Sequence, residues 1–222
     1  MNRDDLLKNI AESIESIKCI HPIRVAVNGI DASGKTTLAD ELVVPLKALG
    51  YSVIRASVDC FHLPQEIRHG RGSLSPEGYY HDSFDYEALK ADLLEPLGEG
   101  GNRRYRTEKF NFRNNQAIES AWQIADEHSV LIIDGVFLQR PEINNYWDMR
   151  IWVDVPFELA LERAYQRDLE LFGSIETVQE RYTKRYFPAQ QLYFDQCQPK
   201  LKAQFIVENS DPLYPSLDRT AS

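Results

Sequence analysis

Two glycines, a lysine and a threonine are spaced so that they could hold the phosphate groups of a nucleotide. Gly29 is followed after four residues by Gly34, Lys35 and Thr36. Glycines let the backbone turn so that its N–H groups point at phosphate oxygens, and the following helix adds the positive end of its dipole. We predict that Lys35 binds the β- and γ-phosphates of ATP and that the Thr36 hydroxyl ligates Mg²⁺. The predicted ATP-binding residues are Gly29, Asp31, Ala32, Ser33, Gly34, Lys35, Thr36 and Thr37.

Two aspartates at the ends of apolar runs could complete this chemistry. Asp134 follows the run LII, a pattern typical of the acid that reaches Mg²⁺ directly or through water. Asp59 follows the run YSVIRASV and could orient an acceptor hydroxyl and take its proton. Aspartate after a strand is also a common turn former, which is the structural alternative for both. The nearby phosphate motif favours the functional interpretation of Asp134, and a position at the ligand-binding edge of a sheet favours that of Asp59.

These residues must be positioned by strands that alternate with helices. Strands are predicted at residues 23–28, 51–58, 129–135, 149–155 and 204–209. Helices are predicted to begin at Thr36, Phe84, Pro156 and Ser174, and Pro188 is predicted to kink or break the last of them. Such alternation is typical of a parallel sheet covered by helices, whose strands end at one ligand-binding edge.

Three further segments have patterns of their own. Within residues 1–20, leucine and isoleucine recur at helical spacing, which predicts an amphipathic N-terminal helix packed on the domain. Residues 62–83 are rich in Gly, Pro, Ser and His and are predicted to form a long functional loop on the acceptor side. Residues 98–116 are predicted to form a glycine turn followed by a strand or hairpin.

Composition and charge argue against several classes of protein. The 222 residues, 43% of them hydrophobic, fit a single domain over 1–222. A net charge of -9 repels polyanions, so no nucleic-acid partner is expected. The three cysteines lack metal-binding spacing, and no segment approaches the length of a membrane span. We expect a cytoplasmic protein without a membrane partner, and the sequence leaves the oligomeric state open, a homo-oligomer included.

Five segments, in order along the chain, resemble one family of kinases. They are VAVNGIDASGKTT, SVDCFHLP, PEGYYHDSFDYEAL, LIIDGVFL and ERAYQRD, and the similarity extends from Ile23 to Asn209. Together they resemble the uridine kinase family, which is grouped with phosphoribulokinase and pantothenate kinase among the P-loop kinases. The resemblance implies ATP-dependent phosphorylation of the 5′-hydroxyl of uridine or cytidine.

The resemblance also implies roles for residues on the acceptor side. Asp59 matches the catalytic carboxylate of the family. Phe61 and His62 match an aromatic stretch beside the acceptor, and Tyr105 matches an aromatic position near the nucleobase. Asp82 ends the stretch YYHD, where the family has Phe-Asp-His-Pro, and it could replace the acid that binds the ribose hydroxyls.

Two arginines four residues apart are predicted to belong to a lid over the phosphates. Arg163 and Arg167 share one face of a predicted helix, and Arg181 and Arg185 add positive charge on the next helix. The resemblance assigns residues 160–194 to the lid region and gives the first two arginines a catalytic role at the phosphates. A solvent-exposed face, paired with nearby acids, is the alternative. The lid turn Phe-Gly-Ser lacks the further arginines that the family has there.

Positive charge on the acceptor side leaves the identity of the acceptor open. Arg68, His69 and Arg71 lie in the 62–83 segment, and Arg71 is predicted to bind substrate. An arginine-lined pocket suits a phosphorylated or carboxylated acceptor as well as a nucleoside. Simple surface exposure is the alternative for a loop.

We therefore predict an α/β protein with a three-layer P-loop NTPase fold, a mainly parallel sheet and a helical lid. The leading hypothesis is a kinase that uses ATP and Mg²⁺ to phosphorylate a small-molecule hydroxyl acceptor, a nucleoside first. The second is a kinase for an anionic alcohol such as a sugar phosphate or a pantothenate-like carboxylate. The third is a nucleotide-dependent switch that hydrolyses ATP slowly. The predicted site residues are Lys35, Asp59, Arg163 and Arg167 for catalysis, Thr36 and Asp134 for the metal, and Phe61, His62, Arg71, Asp82 and Tyr105 for the substrate.

Overall fold

Five parallel strands and one antiparallel edge strand form the central sheet of the computed structural model, which describes residues 1–220. In chain order the strands are β1 (Ile23–Gly29), β2 (Ser52–Ser57), β3 (Arg104–Tyr105), β4 (Phe110–Asn111), β5 (Gln116–Ala117), β6 (Gln123–Ile124), β7 (Ser129–Gly135), β8 (Met149–Asp154), β9 (Phe205–Glu208) and β10 (Ser216–Arg219). Across the sheet their order is β10-β9-β8-β1-β7-β2. The five predicted strands are confirmed, and no end differs by more than one residue.

The remaining strands lie outside the parallel pattern. β10 is polar except for Leu217, so its sequence does not predict a strand; it forms one because it pairs with the exposed edge of β9. The strands β3 to β6 form two small antiparallel ladders, β3 with β6 and β4 with β5. These ladders confirm the hairpin predicted within 98–116 and extend it to Ile124.

Parallel register brings three strand ends to one level. Asp134, near the end of β7, pairs with Val27 of β1 on one side and with Ser57 of β2 on the other. The glycine-rich loop follows β1 directly, and Asp59 follows β2 directly. The three functional segments therefore leave the sheet at the same edge, where parallel sheets bind their ligands.

Helices cover both faces of the sheet. In chain order they are α1 (Arg3–Glu15), α2 (Lys35–Glu41), α3 (Val43–Ala48), α4 (Gln65–Arg68), α5 (Pro76–Asp82), α6 (Tyr86–Leu89), α7 (Phe157–Arg167), α8 (Leu169–Phe172), α9 (Ile175–Arg181), α10 (Phe187–Cys197) and α11 (Pro199–Lys202). The four predicted helix starts are confirmed to within two residues. Within residues 1–220, no helix is both long and apolar enough to cross a bilayer.

The segment 62–83 is not the long loop that its composition predicts. It contains α4 and α5, and the Ser75 hydroxyl caps α5 by accepting a hydrogen bond of 3.0 Å from the Gly78 N–H. Pro76 stands in the first turn, where a missing N–H leaves no hydrogen bond unmade. Ser75 and Pro76 form a sequence signal for the start of a helix. The many glycines and prolines around them favoured the prediction of a loop.

The chain does not break at Pro188. It stays helical from Ile175 to Cys197, and a π-helical turn over Tyr182–Tyr186 precedes the proline. Proline has no N–H to donate to the preceding turn, and a wider turn is one way for a helix to accommodate that loss. α9 and α10 therefore form a continuous helical segment that carries side chains from the lid to the sheet.

Two clusters of buried side chains fill the spaces between the sheet and its helices. Alternate residues of β1 face opposite sides, so Val25 and Val27 pack with α1 to α3, whereas Ala26 packs with the aromatic cluster around α5 and α10. The N-terminal segment forms α1 with Leu6, Ile10, Ala11 and Ile14 buried. Helices, sheet and helices form three layers.

Candidate active site

The loop after β1 has a backbone that only glycine allows at two positions. A side-chain Cβ on Gly29 would lie 2.6 Å from the Ser33 Oγ and 2.7 Å from the Val153 carbonyl oxygen. Gly34 has a φ of +91°, in the left-handed region that favours glycine. The Asn209 side chain stands where a Cβ on Gly34 would be. The loop is thus held tightly against the ends of β8 and β9.

Lys35 and Ser33 have polar groups that suit a bound phosphate. The buried Lys35 Nζ donates to the Ile30 carbonyl oxygen at 3.1 Å, and within residues 1–220 it forms no ion pair with a carboxylate. The Ser33 Oγ is buried and has no hydrogen-bond partner in the described part of the chain. A buried cation with only a neutral partner is stabilised by an anion, so this loop fits the phosphates of a nucleotide.

Hard oxygen donors converge at the end of β7. The Thr36 Oγ1 donates to the Asp134 Oδ2 at 2.6 Å, and the Asp134 side chain is almost fully buried. Hydroxyl and carboxylate oxygens are ligands that suit Mg²⁺, so the pair fits the predicted metal site. The guanidinium of Arg55, on β2, lies 2.8 Å from the Asp134 Oδ1, a contact that sequence reasoning missed.

Asp59 lies in a 3₁₀ turn, Val58–Phe61, directly after β2. Asp59 is exposed to the cavity, which is also lined by Lys35 and His62. Burial raises the pKa of the Asp59 carboxyl to about 6; the charge of Lys35 opposes the rise, and the charges of Asp134 and Asp31 add to it. A carboxyl that titrates near neutral pH suits the transfer of a proton.

The cavity in front of Asp59 has a volume of about 670 Å³ and joins the phosphate loop to the lid. It is lined by Asp31, Lys35, Thr36, Asp59, His62, Gln65, Arg68, His69, Tyr79, Ser83, Phe112, Arg113, Arg167, Asp168, Glu170, Leu171, Phe172, Arg181, Arg185 and Tyr186. Asp31 accepts hydrogen bonds from the Tyr79 hydroxyl at 2.9 Å and from the Gln190 amide at 2.7 Å. Ala32 is buried within the loop, and Thr37 is exposed on α2.

His62 forms one wall of this cavity. Its Nδ1 lies 2.8 Å from the Asp59 carbonyl oxygen, and its ring packs 4.5 Å from that of Phe84 and 5.0 Å from that of Phe112. Burial lowers the pKa of His62 to about 4, so the ring is neutral at physiological pH. Because a carbonyl oxygen only accepts, Nδ1 carries the proton, and Nε2 is an acceptor. Phe61 lies behind this wall, fully buried in the core.

Besides Phe61, three more predicted substrate residues do not line the cavity, so His62 alone of the five does. Tyr105 belongs to β3 and is buried; its hydroxyl donates to the Oε1 of Gln123, on the paired strand β6, at 3.2 Å. Arg71 and Asp82 form an ion pair of 2.6 Å with each other at the surface. Asp82 ends α5, and the helix that the sequence prediction missed fixes its side chain toward Arg71 rather than toward Asp59.

The two predicted lid arginines have different surroundings. Arg163 donates to the backbone carbonyl oxygens of Asn209 and Ser210 at 2.7 and 3.0 Å, and it reaches that of Ser33 at 3.4 Å, so it braces the phosphate loop from outside. Arg167 lines the cavity. Its guanidinium forms two hydrogen bonds with Asp168, of 2.7 and 2.9 Å.

Sequence reasoning left four cavity arginines out of the predicted site. They are Arg68, Arg113, Arg181 and Arg185. The spacing of Arg181 and Arg185 on one helix face was a signal for two of them. Arg113 lies beside β4, and no local pattern connects it with the lid.

Comparisons of sequence identify related proteins. A family model described as "Phosphoribulokinase / Uridine kinase family" matches residues 24–209. Uridine-cytidine kinase B of Dictyostelium discoideum is 28% identical over 172 residues, which cover 76% of this chain and 68% of that protein. A uridine kinase of Brevibacillus brevis is 29% identical over 171 residues, 73% of this chain and 74% of the relative. Against uridine kinase-like protein 5 of Arabidopsis thaliana, 28% identical over 184 residues, the match covers 82% of this chain but only 37% of the longer relative.

Comparisons of structure support the same fold. The solved structure described as "a Possible Uridine Kinase from Bacillus stearothermophilus" has a TM-score of 0.71 at 22% identity, over 91% of this chain and 97% of that one. D-glycerate 3-kinase from Cryptococcus neoformans has a TM-score of 0.61 at 13% identity, over 96% and 99% of the two chains. At such identities the likeness concerns the fold alone. The predicted α/β P-loop fold with a mainly parallel sheet is confirmed.

Proposed function

The chain belongs to the phosphoribulokinase/uridine kinase family of P-loop kinases, and from this premise we propose that it transfers the γ-phosphoryl group of ATP to a hydroxyl of a small metabolite. The curated relatives are named uridine and uridine-cytidine kinases, which are ATP-dependent phosphotransferases. One observation carries the acceptor part of the proposal. Asp59, a carboxyl with a pKa near 6, lines the same cavity as Lys35 and Thr36.

On the nucleotide side, Lys35 and the loop amides would bind the β- and γ-phosphates. Thr36 and Asp134 would hold Mg²⁺, which would neutralise charge on the phosphates. Arg167 lines the cavity and would stabilise the charge that develops during transfer. Arg163 would keep the loop in position through its bonds to backbone carbonyls.

On the acceptor side, Asp59 would accept the proton of the attacking hydroxyl while ADP leaves. The neutral His62 offers Nε2 as a hydrogen-bond acceptor for the same or a neighbouring hydroxyl. Ser83 adds a buried Oγ that lines the cavity and has no partner among the residues described. These three groups support an acceptor rich in hydroxyls.

The names of the relatives make uridine and cytidine the first acceptors to test. A second candidate, an alcohol that already carries negative charge, is supported by the arginines of the cavity. Both candidates undergo the same phosphoryl transfer. They differ only in the part of the acceptor that does not react, which is neutral in one and negatively charged in the other.

The proposal is tested by ADP release from purified protein with ATP and Mg²⁺ over a panel of nucleosides, sugar phosphates, pantothenate and simple alcohols. We expect one class to stimulate ADP release, and Asp59→Asn to lower that stimulated rate by about 10²-fold or more while ATP still binds. Asp195→Asn, an exposed aspartate of α10 bonded to Gln191, is the matched control. No stimulation by any acceptor, with ATP bound, would contradict the proposal and favour a nucleotide-dependent switch.

A further inference from the structure

Four arginines that line the cavity come from outside the phosphate loop. We call Arg68, Arg113, Arg181 and Arg185 the arginine cluster. They come from three separate parts of the chain: α4, the residues after β4, and the helical segment α9–α10 with its π-helical turn. The fold thus assembles positive charge that the sequence distributes over more than a hundred residues.

The arginine cluster has no acidic partner. None of its four guanidinium groups forms an ion pair with a carboxylate in the part of the chain that the structure describes. Other buried arginines of this protein do have such partners, as Arg140 has Glu142. Four carboxylates also line the cavity, but none of them lies within ion-pair distance of the cluster: Asp31, Asp59, Asp168 and Glu170.

Backbone carbonyl oxygens fix two members of the cluster without neutralising them. Arg185 is 3% exposed and donates to the Ser73 carbonyl oxygen at 2.8 Å, and Arg68 donates to that of Leu63 at 2.7 Å. A carbonyl oxygen carries no net charge, so the positive charge of each guanidinium remains. These two members are therefore held in place before any ligand binds, which reduces the entropy lost on binding.

The electrostatics of the cluster indicate uncompensated positive charge. Burial lowers the pKa of Arg185; Tyr186 and Tyr79 oppose this change, and the charges of Arg181 and Arg68 add to it. Burial also lowers the pKa of the neighbouring His69, again with contributions from Arg185 and Arg68. These shifts express the free energy that an anion at the same place would recover.

We propose that the arginine cluster binds an anionic group, a phosphate or a carboxylate, that the acceptor carries apart from its reacting hydroxyl. This inference rests on the proposed kinase function and narrows its acceptor to an alcohol that is already negatively charged. Guanidinium groups bind both kinds of anion through paired hydrogen bonds. Lys35 and the loop amides remain for the nucleotide.

One member of the cluster, Arg181, can be changed with little risk to the fold. Arg185 ties the lid helix to the 62–83 segment, and Arg68 bonds to Leu63 within that segment, so loss of either would also disturb structure. Arg181 has no side-chain hydrogen bond within residues 1–220 and only stacks over the Phe172 ring, at 4.7 Å. Arg181→Gln is therefore the test variant. Lys184→Gln is the matched control, because it removes one charge from an exposed site of the same helical segment, outside the cavity.

The first measurement is anion binding without turnover. Protein saturated with a non-hydrolysable ATP analogue and Mg²⁺, so that the phosphate loop is filled, is titrated with inorganic sulfate by calorimetry at constant ionic strength. We expect one site, weakened about tenfold by Arg181→Gln and unchanged by Lys184→Gln. Loss of the site on filling the phosphate loop, or equal weakening by both variants, would overturn the inference.

The second measurement compares acceptors that differ only in charge: ribose with ribose 5-phosphate, and glycerol with glycerate. We expect the charged member of at least one pair to stimulate ADP release, with a KM that Arg181→Gln raises about tenfold and Lys184→Gln leaves unchanged. Turnover of nucleosides or neutral alcohols in preference to all charged ones would overturn the anion site and leave the kinase function standing. Sulfate binding at the cluster without turnover of any acceptor would instead reject the kinase function and leave the anion site standing.

Discussion

At the scale of single residues, the ionisation of Asp59 should control turnover. Its pKa of about 6 lies above the value of 3.8 for an ordinary aspartate, because the cavity walls exclude much of the water around it. A general base must be ionised to accept a proton, so the active form is lost as the pH falls through about 6. The same shift makes the ionised carboxylate oppose folding: this cost is absent below pH 3.8, where Asp59 is protonated in both states, and reaches its full size as the pH rises through about 6.

We therefore expect kcat/KM for the acceptor to fall about tenfold per pH unit below pH 6, because kcat/KM reports the ionisation of the enzyme before the acceptor binds. The residual rate of Asp59→Asn should lack this dependence. At pH 8 the Asn variant should also unfold at a higher denaturant concentration than the wild type, because it removes an ionised carboxylate that opposes folding. A wild-type rate that is flat from pH 5 to 8 would show that Asp59 is not the base.

The sequence predicts those site residues that belong to a local motif or follow the end of a strand. Lys35, Thr36 and Asp134 follow from a motif and a strand end, and the structure brings them together. Arg55 could not be predicted, because its contact with Asp134 exists only through the parallel register of β2 and β7. Arg71 was predicted to bind the substrate because it is positively charged. In the structure it forms an ion pair with Asp82 at the surface instead.

At the scale of elements, the lid holds Arg167 through a small network. Asp168 accepts two hydrogen bonds from Arg167 and one of 2.7 Å from the Tyr182 hydroxyl, and Arg167 donates to the same hydroxyl at 2.9 Å. The network joins the end of α7 to the π-helical turn that precedes α10. Asp168 is thus a positioning residue for the one predicted lid arginine that lines the cavity.

Asp168→Asn should lower kcat by about tenfold to a hundredfold, because a neutral amide cannot fix the guanidinium with two charge-assisted bonds. The ATP dissociation constant should change little, which separates a positioning role from a loss of binding. Glu162→Gln, on the exposed face of α7, is the control of equal charge. A kcat that rises in Asp168→Asn would show that the network restrains Arg167 instead of positioning it.

The elements themselves differ in how far the sequence predicts them. β1 and β7 are buried along their whole length, so unbroken apolar runs give their ends to within one residue. α4 and α5 were missed because they are four and seven residues long, too short for a periodic pattern to outweigh glycine and proline. Residues of these two helices line the cavity, so this part of the site was the hardest to predict from the sequence.

At the scale of the whole molecule, α1 closes one face of the sheet. Ile10 is fully buried in the cluster that includes Val25, Val27 and Leu38. The prediction of one domain over 1–222 stays a prediction, and the two core clusters on opposite faces of one sheet support it. Packing of α1 should therefore contribute to the stability of the entire sheet.

Ile10→Ala should lower the free energy of unfolding by about 2–5 kcal/mol, because it removes buried methyl groups and leaves a cavity. Denaturant unfolding followed by circular dichroism measures this loss. Lys8→Ala, two residues away and 73% exposed in its side chain, should change stability by less than about 0.5 kcal/mol. Equal effects of the two variants would show that α1 is not packed on the sheet.

The contact of Asn209 with the phosphate loop has a consequence for biosynthesis. The Asn209 Nδ2 donates to the Ser33 carbonyl oxygen at 2.8 Å across 176 residues of chain. At about 5–20 residues per second, a ribosome needs about 9–35 s to add those residues. During that interval the nascent chain contains the whole glycine motif but lacks the residue that holds it from outside. The nucleotide site therefore cannot be completed until 176 residues after Ser33 have been added.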